Sequence, residues 1–309
     1  MKNKLIIFFF AFTAFSIQAQ QEAAYTHYMY NTLAVNPAYA GSRNALTLTA
    51  LGRFQWVGFE GAPMTQTFTA HAPISKENIG LGISFVNDKI GPTNNAGVSA
   101  DFAYRMKVSK KARLSFGIKA GINNFSAGLS NLTLNQQNDA SFADGGRSKM
   151  LPNVGAGIYF QSEKFYLGAS TPKLLENKLN TINSSTITSI GTETRHLYFI
   201  SGVIIQLNPL VQFKPTISAR VTTGAPAQGD ITANFIFNRK VSLGAMYRTG
   251  DALGALLGIN INEQMMFGYS FDWSAYNRTG KFNAGSHEIM LRYDFIFKEE
   301  KRIVSPRYF

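Results

Sequence analysis

The sequence predicts an all-β fold: a transmembrane, antiparallel, up-and-down β-barrel of about fourteen strands, made after removal of a signal peptide. Three observations lead there. The first is a two-residue beat through most of the chain. Ala112, Leu114, Phe116, Ile118, Ala120 and Ile122 share one face of a strand, and Arg113, Ser115, Gly117, Lys119, Gly121 and Asn123 share the other. Such alternation marks a strand with unlike surroundings on its two sides. Charges on the polar face suit a wet lumen better than a packed core. The second observation is an export leader. The third is that no later stretch approaches the roughly 20 apolar residues a spanning helix needs, so a membrane location requires strands.

The leader comes first in the chain. Lys2 and Lys4 precede an apolar run from Leu5 to Phe15, then Ser16-Ile17-Gln18-Ala19-Gln20. A positive start, a short apolar region and a small residue before the cut predict cleavage between Ala19 and Gln20. Residues 1–19 are therefore expected to leave. Residues 20–43, rich in tyrosine, follow as a periplasmic N-terminal extension, and 44–297 form the barrel.

Alternating segments begin near Ala45, Thr65, Ile79, Val98, Ala112, Val154, Phe165, Arg195, Val211, Ile231, Val241, Leu256, Met265 and Glu288. The last runs to Phe297 with aromatics at its end, like the terminal strands that barrel-insertion machinery engages. Residues 298–309 remain as a periplasmic tail. Bacterial barrels have short periplasmic turns and longer external loops. Connections after even-numbered strands are brief, as at Ser109-Lys110-Lys111, Asn238-Arg239-Lys240 and Asn262-Glu263-Gln264. Most odd-numbered ones are long, notably 124–153, 171–193 and 273–287, the one after Arg248 being short. This parity predicts an outer-membrane location with both termini periplasmic and the long loops outside.

Composition agrees. Aromatics at 13% and 27 Gly suit aromatic girdles and tight turns. The absence of Cys removes lipid-anchored Cys, disulfides and thiolate metal sites. The formal charge of +12 is spread over strand faces and turns, so a nucleic-acid partner is not expected. Acidic glycans, lipid phosphates or an acidic partner match it equally well.

Catalytic, cofactor and metal residues are all expected to be absent. His27, His71, His196 and His287 show no metal-ligand spacing, and there is no nucleophile elbow or phosphate-binding loop. Gly80-Leu81-Gly82 and Gly155-Ala156-Gly157 lie within alternating strands, where glycine marks a bend or a close approach. The lumen register carries Arg53, Asp101, Arg105, Lys119, Lys214, Arg220, Arg248, Asp272, Arg292 and Asp294. Two arrangements fit these charges: a selectivity ring, or an internal ion-pair network closing the barrel.

Two clusters combine aromatics with backbone-shaping Gly and Pro. One is Tyr28-Met29-Tyr30-Asn31 with Asn36-Pro37-Ala38-Tyr39-Ala40-Gly41; the other runs from Gln55 and Trp56 through Gly58, Phe59 and Gly61 to Pro63. An aromatic belt at the membrane surface, and an extension folded against the barrel mouth, are the plain structural readings of them. The same clusters carry a family resemblance, extended by Asp88 to Gly91, Tyr247-Arg248, Asp251-Ala252, Gly268 to Asp272 and Gly285 to Leu291. The chain resembles the PorP/SprF family of outer-membrane proteins of the type IX secretion system of Bacteroidetes. Tyr28, Asn31, Asn36, Pro37, Tyr39, Gly41, Asp272, His287 and Glu288 carry it most clearly.

The resemblance implies a non-enzymatic barrel that assists export or surface attachment of particular cargo, including adhesins in gliding species. Its implied partners are the secreted cargo, type IX components and outer-membrane lipid. A porin or small-solute transporter is the alternative that barrel physics permits. An outer-membrane enzyme would need a convergent acid, base and nucleophile, which the sequence does not offer. Gln55, Trp56, Gly58, Phe59, Gly61 and Pro63 are the expected partner-docking residues.

Overall fold

Apolar residues at every second position leave each strand greasy on one side, and closing the sheet lets that side face lipid while every backbone group finds a partner. The computed structural model of the protein describes residues 22, 24–74, 78–128, 147–179, 192–275 and 278–296. It is a closed barrel of fourteen antiparallel strands, each bonded to its neighbours in sequence. The strands are β1 (Leu46–Phe54), β2 (Met64–Ile74), β3 (Ile79–Ile90), β4 (Thr93–Ser109), β5 (Ala112–Ala127), β6 (Arg147–Ser162) and β7 (Phe165–Thr171). There follow β8 (His196–Val203), β9 (Val211–Thr222), β10 (Gln228–Phe237), β11 (Val241–Arg248), β12 (Ala252–Asn260), β13 (Met265–Trp273) and β14 (Ser286–Phe295). Pairing of β1 with β14, from Leu46 opposite Phe295 to Phe54 opposite His287, closes the ring.

β8 resumes as Ile205–Gln206, which pair with Phe213 and Gln212 in unbroken register. The stretch left unpaired on this side, Val203 and Ile204, falls opposite Pro215 and Lys214, and Pro215 has no N–H to give the ladder. Strands start at the expected residue at Ile79, Ala112, Phe165, Val211, Val241 and Met265. β4 and β6 start earlier than alternation indicated, at Thr93 rather than Val98 and at Arg147 rather than Val154. As a result the connection between β3 and β4 is a tight turn at 91–92 and not a loop. The leader with Ala19 and Gln20, residues 129–146 of the long connection after β5, Phe297 and the tail 298–309 lie outside the described residues.

One end of the barrel carries the connections 55–63, 172–195 and 274–285, and is called here the loop end. The other carries the brief connections at 110–111, 163–164, 238–240 and 261–264, and is the turn end. Phe116 and Ile118 on β5 are exposed, while Gly117 between them and Lys119 after them are buried. Phe102, Leu167, Phe199, Ile217, Ile231 and Leu243 extend the apolar exterior around the ring.

The described part of the tyrosine-rich extension, Tyr25 to Arg43, does not form an appendage ahead of the barrel. Tyr25 to Arg43 fill the lumen, nearly every residue buried. The plug is held in shape by two 3-10 turns, Thr32–Ala34 and Pro37–Tyr39. Asn36 caps the second: its Oδ1 accepts the Ala38 N–H at 3.0 Å, with Pro37 at the first helical position. The positions of Glu22 and Ile296 are informative. Glu22 bonds Lys173 and Tyr198 near the loop end, whereas Ile296 lies among turn-end residues. Glu22 therefore lies at the loop end and Ile296 at the turn end, and the two chain termini lie outside the described residues.

An Ile118→Arg substitution near the middle of β5 puts charge on the lipid face. It is expected to cost about 2–4 kcal/mol, read as a lower urea midpoint for the barrel in lipid vesicles; an unchanged midpoint would contradict the lipid-facing assignment.

Candidate functional site

The interior is where the chain's polar chemistry converges. Glu288, on β14 and wholly buried, accepts the backbone N–H of Thr26 at 2.9 Å and of His27 at 2.7 Å. The His27 ring Nδ1 lies 2.8 Å from the same carboxylate. Arg53 of β1 reaches Glu288 at 3.2 Å and Asp272 of β13 at 2.8 Å. Thr26 joins the pair, donating its hydroxyl to Asp272 at 2.7 Å and accepting from Arg53 at 3.0 Å. Arg248 continues the chain to Asp230 at 2.7 Å and to Asp272 at 3.5 Å. Nearer the turn end, Arg43 of the plug forks onto Asp294 at 3.1 and 2.7 Å. On the far wall Lys119 pairs Asp101 at 3.2 Å.

The lumen charges thus form a network and not a selectivity ring. Each of the ten residues in that register is buried. Taking paired charges out of water repays its cost only when further hydrogen bonds satisfy them, and the plug supplies those bonds.

The plug is also keyed by shape. A Cβ on Gly80 would overlap the Ala40 backbone, one on Gly117 the backbone of Pro37 and Ala38, and one on Gly157 the Asn36 side chain. Close approach is therefore the reason for glycine at Gly80 and Gly157. Asn36 donates to the Ile158 carbonyl at 3.1 Å, and the Gly41 N–H to His71 Nδ1 at 3.1 Å. Gly41 takes φ +72°, a conformation open to glycine, with Gly80 and Pro73 packed against it. Tyr39 stacks edge-on against His71 and Tyr159, centroids 5.2 and 5.3 Å apart. Tyr28 hydrogen-bonds Thr216 at 2.9 Å, and Asn31 accepts from Thr69 at 2.9 Å.

Tyr28, Asn31, Asn36, Pro37, Tyr39, Gly41, Asp272 and Glu288 therefore meet at one plug–wall interface. His287 does not. It faces outward from β14, with Nδ1 2.7 Å from the Tyr269 hydroxyl and its ring 5.2 Å from Phe271. Thr26, His27 and Arg43 are interface residues that the sequence reading left unassigned. The signal for them was an acid at Glu288 in the inward register, which required a donor from somewhere.

Gln55, Trp56, Gly58, Phe59, Gly61 and Pro63 lie in the 55–63 loop at the loop end. It is a shaped loop. Val57 exchanges backbone bonds with Ala284 and Gly285 at 2.8 and 2.9 Å, and Gly91 donates to Gly61 at 2.9 Å. Trp56 is held at φ +48°. Phe59, 48% exposed, projects beside Val57, and Trp273 and Phe282 are exposed in the same end of the barrel.

Two cavities flank the plug and share no lining residue. The loop-end cavity, about 440 Å³, is bordered by Glu22, Asp88, Lys119, Lys173, Glu193 and His196 among others. Burial alone would raise the Glu22 carboxyl; Lys173 and His196 outweigh it and hold it down to about 2. The contribution of this tether is complete above the ordinary value of 4.5 and is lost only as pH falls toward 2. The turn-end cavity, about 490 Å³, is bordered by Tyr30, Arg43, Lys214, Arg239, Lys240 and Arg292 among others.

Residues 17–293 match the family described as type IX secretion system membrane protein PorP/SprF. The chain belongs to the PorP/SprF family. It is an outer-membrane β-barrel of that secretion system. No curated protein matches the sequence significantly. Among solved structures it is similar to a Pseudomonas aeruginosa FadL homologue, at 11% identity over 84% of this chain and 93% of that one, TM-score 0.46. It is similar also to the Acinetobacter baumannii outer membrane protein Omp33, at 8% identity over 82% and 99%, TM-score 0.45. A third is the KdgM porin, at 8% identity over 81% and 100%, TM-score 0.38.

A Glu288→Ala substitution in this PorP/SprF barrel strips the plug of its acceptor and leaves Arg53 short of a partner. Breaking one side of such a buried pair is expected to destabilise by about 3–5 kcal/mol. The heat-modifiable gel transition should fall in temperature, and conductance in planar bilayers should rise above that of the parent. A variant equally stable and equally silent would show that the network does not hold the plug.

Proposed function

We propose that this protein is a non-enzymatic accessory of type IX secretion whose loop end receives a particular secreted cargo protein, such as an adhesin, and aids its export or surface attachment. The observation that carries the reading is the filled lumen. A porin-like channel, the other barrel function, needs a continuous wet path, and here Tyr25 to Arg43 occupy it. What the barrel leaves available is its rim. There the 55–63 loop is braced on both sides, so Trp56 and Phe59 are presented without a large ordering cost.

The orientation we assign puts the short turns in the periplasm and the loop end outside. Glu22 then lies at the outer side and the last strand ends at the inner one. A Cys replacing Glu60 should react with an impermeant thiol reagent on whole cells, and one replacing Lys110 should not. The chain's lack of Cys removes background. The reverse pattern would invert the orientation.

Anchors at interface hot spots typically cost at least about 2 kcal/mol each when truncated. Trp56→Ala with Phe59→Ala should leave the barrel inserted and heat-modifiable while the cargo is lost from the cell surface. Normal display of cargo by a correctly inserted double variant would refute docking at this loop.

A further inference from the structure

The turn-end cavity is bordered by more cations than carboxylates. Deeper in the lumen Arg53 meets Asp272 and Lys119 meets Asp101 within ion-pair distance. Here the bordering charges are Arg43, Lys214, Arg239, Lys240 and Arg292 against Glu263 and Asp294. Asp294 is already committed: it takes the Arg43 fork and the Thr47 hydroxyl at 2.6 Å. Arg292 stands 3.9 Å from that carboxylate, is only 6% exposed, and its Nε has no hydrogen-bond partner. Its guanidinium and the Lys214 ammonium both lie against the Tyr30 ring, 5.6 and 4.7 Å from the centroid. A buried guanidinium N–H that borders a cavity without a hydrogen-bond acceptor offers an anion a charge-assisted hydrogen bond.

The walls say more about the ligand. Ile236, Ile261, Met265, Met266 and Ile296 border the same space, so an apolar body would be covered while its charged head meets Arg292. The volume, about 490 Å³, lies within the range of small-molecule sites. The exposed turn residues Arg239 and Lys240 border this cavity at the turn end. That favours a water-borne ligand.

We infer that the turn-end cavity binds a carboxylate carried on an apolar body, with Arg292 as the fork, Tyr30 as the floor, and Arg239 and Lys240 as an attracting rim. The shared chemistry can come from a free acid or from the carboxyl end of a polypeptide, and the test separates them. Full-length protein in detergent is titrated calorimetrically with N-acetyl-leucine, with a hexapeptide ending in leucine, with the amides of both, and with inorganic phosphate.

Binding of either acid, with its amide weaker by about tenfold or more, is the expected result, since a hydrogen bond to a charged group is lost. Preference for the hexapeptide assigns a polypeptide end; equal binding assigns a free acid. Arg292→Gln should weaken the acid by about tenfold or more. Should that variant not insert, the exposed pair Arg239→Ala with Lys240→Ala serves instead. It should weaken binding and reduce its salt dependence while leaving the barrel heat-modifiable. Equal binding of acid and amide, phosphate binding without binding of either acid, or no binding by the inserted parent would each overturn the inference.

Discussion

A ring of eight strands is filled by its own inward side chains, and one of fourteen is not. The space left over is the constraint on which the rest of this molecule depends. It is met by residues 25–43 of the same chain, and the wall has been shaped around them. Gly80, Gly117 and Gly157 give up their side chains where the plug backbone presses closest. Acids at Asp272, Glu288 and Asp294 rise where the plug offers N–H groups, a hydroxyl or a guanidinium.

The polarity of this interface has a physical consequence. An apolar plug would pack as well in many orientations, whereas Glu288 accepts two successive backbone N–H groups and can do so in one register only. Buried ionic networks are weak evidence for stability but good devices for specifying an arrangement. Asp272 shows why. It serves Arg53, Arg248 and Thr26 together, so β1, β11, β13 and the plug are located by one carboxylate. Apolar contacts among Leu33, Met29, Tyr39, Tyr159 and Tyr166 then fill the remaining volume.

A plugged barrel divides its surface into two separate ends. The loop end has a braced aromatic loop and a cavity of mixed charge; the turn end has a cavity dominated by arginine and lysine. Because the chain enters the lumen beside Lys173 and leaves it at Arg43 to begin β1, the plug touches both. A change at one end has a covalent path to the other, through a plug that is bonded to the wall along its length, at Thr26, Tyr28, Asn31, Asn36, Gly41 and Arg43.

The architecture was legible in the sequence because strand periodicity is local. A two-residue beat needs no partner to be seen, and β5, β7 and β9 begin where alternation indicated. The family clusters were legible too, and the inward charges were identified as one register. What each inward charge faces depends on residues more than 200 positions away, such as Thr26 and Glu288, which share no local pattern. Tyr28 to Tyr39 have neither a strand beat nor a helix of useful length, so nothing in their own sequence announces that they sit inside the ring. Alternation, with an export leader and no later apolar stretch long enough for a spanning helix, determined from the sequence that this chain is a membrane barrel. Only closure of that barrel decided that its first tyrosine-rich segment is its core, because the empty volume exists only once the last strand meets the first.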